Sequence, residues 1–325
     1  LHIADWKDYA EKKKQIETEA LIASGRISPF TMLSISDRPE IQQLAAQHWA
    51  KQYDKKNTTI EKPIQLSKKN KIKIGYFSGD FRSHPVAALM MQVFAQHNRE
   101  KFAVYAFSYC PLEEDAVSHR IASVVDHWVN VRGKTAKEIA EETRGLAIDI
   151  AVDLSGYTEY GRPEIFANRV ALSQVSYLGY LGTMGSPSID YLIADQILVT
   201  PADTQFYNEK IIYLPWYQAN DQDRPCPATG PDRNTLGLPE QGVVYASFNH
   251  TYKINPEVFS CWMEILRAVP DSVLMLLAAN DRVATHLRQA AVNTGIDAQR
   301  LLFAPRKKYE DYLAQYHCVD LLLDT

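Results

Sequence analysis

From Lys71 onward, short apolar runs alternate with amphipathic runs at helical spacing, and this rhythm admits few folds. Residues 72–77, 102–108, 127–131, 148–154, 170–178, 191–194 and 210–214 read as strands, with helices over 86–97, 116–124 and 136–143. After a break the rhythm resumes. Strands are expected over 243–248, 272–277, 301–304 and 319–323, and helices over 256–269, 282–294 and 309–316. Strand–helix alternation of this kind predicts an α/β fold, a parallel sheet covered by helices on both faces.

The alternation is interrupted by segments of other character. Residues 1–57 read as helical. Asp5 caps a helix carrying Trp6, Tyr9, Ile16 and Ala20 on one side, and Ser24-Gly25 breaks it. Pro39 opens a second helix with Ile41, Leu44, Ala45, Trp49 and Tyr53 at helical spacing. Residues 58–70 are polar, contain Pro63 and read as a linker. A first lobe is expected over 71–217. A connection rich in Pro, Asp and Gln follows over 218–232, and a second lobe over 233–325. Four strands are fewer than a doubly wound domain normally has, so the second lobe is expected to be incomplete. The first residue is Leu1 rather than Met, and a fragment or trimmed chain is expected.

Bulk properties narrow the classes of function. A chain of 325 residues has room for two domains. A net charge of −4 predicts no nucleic-acid partner and no membrane attraction. The short basic clusters 12–14 and 68–73 read as a solvated helix face and linker. The four cysteines form no CxxC pair, which argues against a zinc site or a disulfide framework and fits a reducing, cytoplasmic compartment. No apolar run approaches membrane-spanning length, and no signal-peptide pattern is present.

In parallel α/β sheets, ligands bind beyond the carboxyl ends of strands, so the residues after each strand are the candidates. Ser78, Gly79, Asp80, Phe81, Arg82, Ser83, His84 and Pro85 follow the first. Pro85 fits a first helical turn, and His84 would stand at its N-terminus as a base or as a hydrogen-bond donor to substrate. Equally, Asp80 and Ser83 are caps there and His84 an incidental polar residue. Ser155, Gly156, Tyr157 and Thr158 follow the strand over 148–154. Gly179, Tyr180, Leu181, Gly182, Thr183, Met184 and Gly185 follow 170–178. Three glycines in seven residues let backbone pass close to a ligand, or make an ordinary turn. The pattern is neither GxGxxG nor a P-loop. Asn249, His250, Thr251, Tyr252 and Lys253 follow the second lobe's first strand. A lysine beside a helix N-terminus suits a diphosphate, or is a surface lysine.

These same segments resemble the protein O-linked N-acetylglucosamine (O-GlcNAc) transferase family, SPINDLY-type proteins included, in its bacterial-type form. The resembling stretches are IGYFSGDF with His84-Pro85, DLSGYT from Asp153, QVSYLGYLGTMG from Gln174, DYLIAD from Asp190, FNHTYKI from Phe248 and DLLLDT from Asp320. They keep the family's order over nearly the whole chain. Asp5-Trp6 and the helical residues resemble the end of a tetratricopeptide region, through which an oligomer is expected.

The resemblance implies a GT-B fold: two Rossmann-like lobes with donor and acceptor between them. It implies inverting, metal-independent transfer of N-acetylglucosamine from UDP-GlcNAc to Ser or Thr of protein or peptide acceptors, with no cofactor. His84 maps onto the family's loop histidine and Lys253 onto its essential lysine, which would stabilise the leaving diphosphate. Asp80, Tyr157, Thr158, Gly179, Tyr180, Gly182, Thr183, Asn249 and His250 would contact substrate. Transfer of fucose from GDP-fucose, or a nonenzymatic peptide-binding module, are the alternatives. His250 stands where animal members carry glutamine, and Asp149 where they carry a second histidine. In the family, the residues matching Leu323, Asp324 and Thr325 precede a loop with paired threonines and an aspartate that completes the nucleotide site. The 325 residues are expected to bind nucleotide weakly without it.

Overall fold

The computed structural model describes residues 4–22, 26–54, 64, 71–277, 280–305 and 307–325. The chain forms two compact units: Lys12–Gln222, and Asp223–Thr325 together with the residues up to Glu11. The break expected at Ser24-Gly25 lies outside the described residues, as does the expected linker apart from Ile64.

Three helices precede the first sheet: α1 (Tyr9–Leu21), α2 (Pro29–Ile35) and α3 (Pro39–Asp54). Asp5 does not cap α1. Its Oδ1 accepts the Lys7 N–H at 3.1 Å, and Asp8 turns the chain at φ +57° before the helix starts. Helix α2 was not expected, because seven residues are too few to show a period. Its start is nonetheless written locally. Ser28 Oγ accepts the Thr31 N–H at 3.2 Å, and Pro29 supplies the first-turn φ. Met32, Ile41 and Ala45 pack with Ala20, while Ala46 enters the core beneath the sheet.

The first sheet has seven parallel strands: β1 (Ile72–Ser78), β2 (Phe102–Ser108), β3 (His127–Asn130), β4 (Ile150–Asp153), β5 (Ser173–Ser176), β6 (Tyr191–Ala194) and β7 (Lys210–Tyr213). Helices α4 (Pro85–Gln96), α5 (Ala116–Val124), α6 (Ala136–Gly145) and α7 (Pro163–Ala167) make the crossovers among the first five strands. Successive residues of β1 feed opposite cores. Phe77 stacks on Phe107 at 4.4 Å on one face, and Tyr76 meets Phe94 on the other. Each such buried ring contributes about 1.5–3 kcal/mol. Strand β5 is shorter than its apolar run. Arg169 (φ +53°) and Leu178 (φ +73°) bend the chain at either end, and the Val170 N–H goes to Gln174 Oε1 instead of the ladder.

The second unit holds β8 (Val244–Ser247), α8 (Pro256–Ala268), β9 (Val273–Leu277), α9 (Asp281–Asn293), β10 (Leu301–Ala304), α10 (Tyr309–Ala314) and β11 (Leu321–Leu322). Trp6 packs on Phe259 of α8, with ring centroids 5.1 Å apart. Helix α10 ends early and tightens into a 3-10 turn over Gln315–Cys318.

Strand order locates the functional edges. The first sheet runs β3-β2-β1-β4-β5-β6-β7 and the second β10-β9-β8-β11. Each therefore reverses direction once, at β1/β4 and at β8/β11. At such a reversal the flanking crossovers diverge and leave a crevice at the strands' carboxyl ends. No helix among the described residues is long and apolar enough to cross a membrane.

Candidate functional site

At the β1/β4 reversal, two loops are stitched together. Ser155 Oγ accepts the Gly79 N–H at 3.3 Å, and Asp153 Oδ1 accepts the N–H groups of Ser155 and Gly156 at 2.9 and 3.0 Å. Asp80 is buried, and its Oδ1 receives Arg82 at 3.1 Å. His84 Nδ1 lies 3.8 Å from Asp80 Oδ2 and accepts the Val86 N–H at 3.3 Å, capping α4. Burial holds the imidazole below its ordinary range, with Asp80 opposing and Arg82 reinforcing the shift. A neutral ring whose Nδ1 lone pair is engaged carries its proton on Nε2. The group His84 presents is thus an N–H donor rather than a base.

Tyr157 is buried and Thr158 half-buried. The Tyr157 hydroxyl donates to the Met184 carbonyl at 2.7 Å and its ring meets Tyr180 edge-on at 5.4 Å; Thr158 Oγ1 donates to the Ser155 carbonyl at 2.8 Å. The glycines of 179–185 answer to packing. A Cβ on Gly179 would stand 2.0 Å from the Leu154 carbonyl oxygen, and one on Gly182 2.6 Å from the Tyr180 hydroxyl. Gly185, at φ +59°, would place its Cβ 2.5 Å from the Gln47 nitrogen in α3. Thr183 is buried and fully engaged. Its hydroxyl donates to Glu209 Oε2 at 2.7 Å and accepts the N–H groups of Gly185 and Asn208 at 3.1 Å. The Thr183 hydroxyl is thus spent on partners inside the protein, and within 179–185 only Leu181 is exposed.

At the β8/β11 reversal, Asn249 Nδ2 donates to Asp324 Oδ1 at 2.7 Å and to Thr325 Oγ1 at 3.2 Å. His250 stacks on Tyr252 at 5.7 Å. Lys253 ends a 3-10 turn over Thr251–Lys253 and is exposed. The Thr325 N–H, Asn249 and the Lys253 charge hold the Asp324 carboxyl below its usual range. Helix α8 starts at Pro256 with Asn255 Oδ1 accepting the Val258 N–H. The lysine thus stands within one turn of a helix N-terminus, where anions are favoured.

The family model for glycosyl transferase family 41 matches residues 3–221 and 218–325, nearly the whole chain. The chain belongs to glycosyl transferase family 41. An Arabidopsis thaliana relative, the probable UDP-N-acetylglucosamine–peptide N-acetylglucosaminyltransferase SEC, is 34% identical over 78% of the chain and 27% of its own length. The like-named Arabidopsis SPINDLY is 32% identical over 78% of the chain and 28% of its length. The chain thus spans little more than a quarter of these relatives. Among solved structures, a mutant of the Thermobaculum terrenum O-GlcNAc transferase matches with TM-score 0.80 and 31% identity, over 91% of this chain and 57% of that one. The fold is of the GT-B type, with two Rossmann-like α/β lobes.

Several neighbours of the site in this family 41 chain were given no role from sequence. Arg82 pairs with Asp80 and lies over the Tyr160 ring at 5.6 Å. Glu209 is buried, which raises its pKa, and it fixes the Thr183 loop from a distant strand start. Asp153 closes an apolar strand, a position where an acid is unusual, and that was the available signal. In the second unit, Phe248 meets Tyr312 and Tyr316 edge-on. Between those tyrosines in sequence, Gln315 is fully buried with both amide atoms unpartnered among the described residues, as is Ser247 Oγ at the end of β8. Nothing in a polar helix over 309–316 marks Gln315 as inward.

Proposed function

We propose that this protein is an inverting glycosyltransferase that moves N-acetylglucosamine from UDP-GlcNAc to Ser or Thr hydroxyls of proteins. The observation that carries the reading is the family match through both units, with relatives named for that transfer. The acceptor hydroxyl attacks the anomeric carbon as the bond to UDP breaks. Lys253 stabilises the charge that develops on the diphosphate, where a fixed cation acts most strongly. His84 donates from Nε2 to acceptor or sugar, and Asp80 and Arg82 hold it there. Tyr157, Thr158 and the backbone of 179–183 line the acceptor and sugar side, with Asn249 and His250 beside the nucleotide. No metal takes part. The enzyme works in the cytoplasm on protein acceptors, without nucleic acid or membrane, and the helical N-terminal residues are the place for self-association.

Calorimetry on the full-length protein tests the donor. UDP is expected to bind, Lys253→Ala to weaken binding, and peptide transfer to survive a chelator with inversion at the anomeric carbon. Binding of GDP in place of UDP would give the donor as GDP-fucose. Binding of neither nucleotide would leave a peptide-binding module.

A further inference from the structure

Asp153 and Tyr109 stand out because both are buried and each holds a polar atom that is not fully satisfied among the described residues. Asp153 is 1% exposed and Tyr109 5%. Among the described residues Asp153 Oδ2 has no hydrogen-bond partner, and the Tyr109 hydroxyl has only a loose one, the Ser155 side chain. They belong to strands flanking β1. Asp153 ends β4 and pairs in register with Phe77, and the Tyr109 N–H donates to the Ser78 carbonyl just past β2. The Tyr109 ring crosses over Gly79, whose Cβ would lie 3.2 Å from Tyr109 Cε2. The hydroxyl is thereby carried toward the β4 loop, where Asp153 and Ser155 both act on it. Buried donors and acceptors in native proteins are almost always paired, with protein or with an internal water.

We propose that Asp153 and Tyr109 are a pair, joined through one internal water, that positions the loop bearing Asp80 and His84. One carboxyl oxygen fixes the Ser155–Gly156 turn, and that turn's serine holds the Gly79 N–H one residue before Asp80. The other oxygen reaches, through the water, the tyrosine that covers Gly79 from the opposite side. The loop is thus gripped from both neighbouring strands. Burial raises the Asp153 pKa to about 6 and pushes Tyr109 well above its ordinary value, so both protons are retained for bonding in mildly acidic solution. The other ionisable groups facing the pair are Asp80, tied to Arg82, and Glu164 of α7, tied to Arg162. This role rests on the transferase reading and adds two positioning residues to it.

The test uses the full-length protein. Asp153→Ala is expected to lower kcat about 10²-fold, the usual result of an ångström-scale misplacement, with KM for UDP-GlcNAc little changed. Asp153→Asn, which keeps an acceptor for the turn and a donor toward Tyr109, is expected to recover most of that loss. Tyr109→Phe should lower kcat in the wild-type background and add nothing to Asp153→Ala. The second readout needs no activity. By NMR, the His84 ring should titrate nearer its ordinary value in Asp153→Ala than in wild type. Unchanged His84 titration, or additive effects of the two substitutions, would overturn the pair. A wild-type protein without transferase activity, but with the His84 shift present, would overturn the transferase reading and leave the pairing standing.

Discussion

Gly185→Ala separates packing from ligand contact as the reason for the glycine-rich loop. Gly185 sits at φ +59°, so any side chain there costs about 1–2 kcal/mol from the left-handed backbone alone. Its Cβ would also lie 2.5 Å from the Gln47 nitrogen and 2.6 Å from the Ala46 carbonyl carbon. Those are backbone atoms in the middle of α3 and have no rotamer to change. Helix and loop must move apart, and overpacking of that kind adds about 1–3 kcal/mol. Gly133 is the control. It has φ +79° in the same unit, but nothing lies within 4 Å of its Cβ. Gly133→Ala should therefore cost the backbone amount only. Urea unfolding gives the global difference, and native-state hydrogen exchange of the α3 amides should show protection lost in Gly185→Ala alone. If the two variants agree to within about 0.5 kcal/mol, the packing argument is wrong.

Three further outcomes follow from the site. Lys253→Ala should lower kcat about 10²-fold or more, and isothermal titration should show weaker UDP binding. His84→Asn should keep the α4 cap and its stability, whereas His84→Ala should lose about 1 kcal/mol in thermal unfolding; both should slow transfer. Asp153 should make stability fall as pH rises. Its folded pKa of about 6 exceeds the ordinary aspartate value of 3.8, so the unfolded chain ionises first. About 3 kcal/mol is lost between roughly pH 4 and 6, and urea midpoints of Asp153→Asn should lack that slope.

The strands were legible because most carry continuous apolar runs, and tertiary structure mainly trimmed their ends. At β5 the trimming came from left-handed turns at Arg169 and Leu178, conformations that neither residue type announces. Helix α2 escaped because its evidence is one serine and one proline. Candidate residues were legible wherever a loop follows a strand, since parallel topology fixes which edge is used. Their roles were not. The need for glycine at 185 depends on where α3 passes, and Thr183 looks available until Glu209 is placed beside it. Whether His84 gives or takes a proton turns on a single bond from the Val86 N–H.

That bond also makes His84 an asymmetric target for reagents. A neutral ring attacks electrophiles through its unprotonated nitrogen, and in His84 that lone pair, on Nδ1, is committed to the helix start. A carbethoxylating reagent should therefore react slowly with His84, and the rate of adduct formation would report how firmly the first turn of α4 is closed. Histidine analogues methylated at either nitrogen would then be unequal replacements. Methylation at Nδ1 disturbs the helix, while methylation at Nε2 silences the donor and leaves the helix in place.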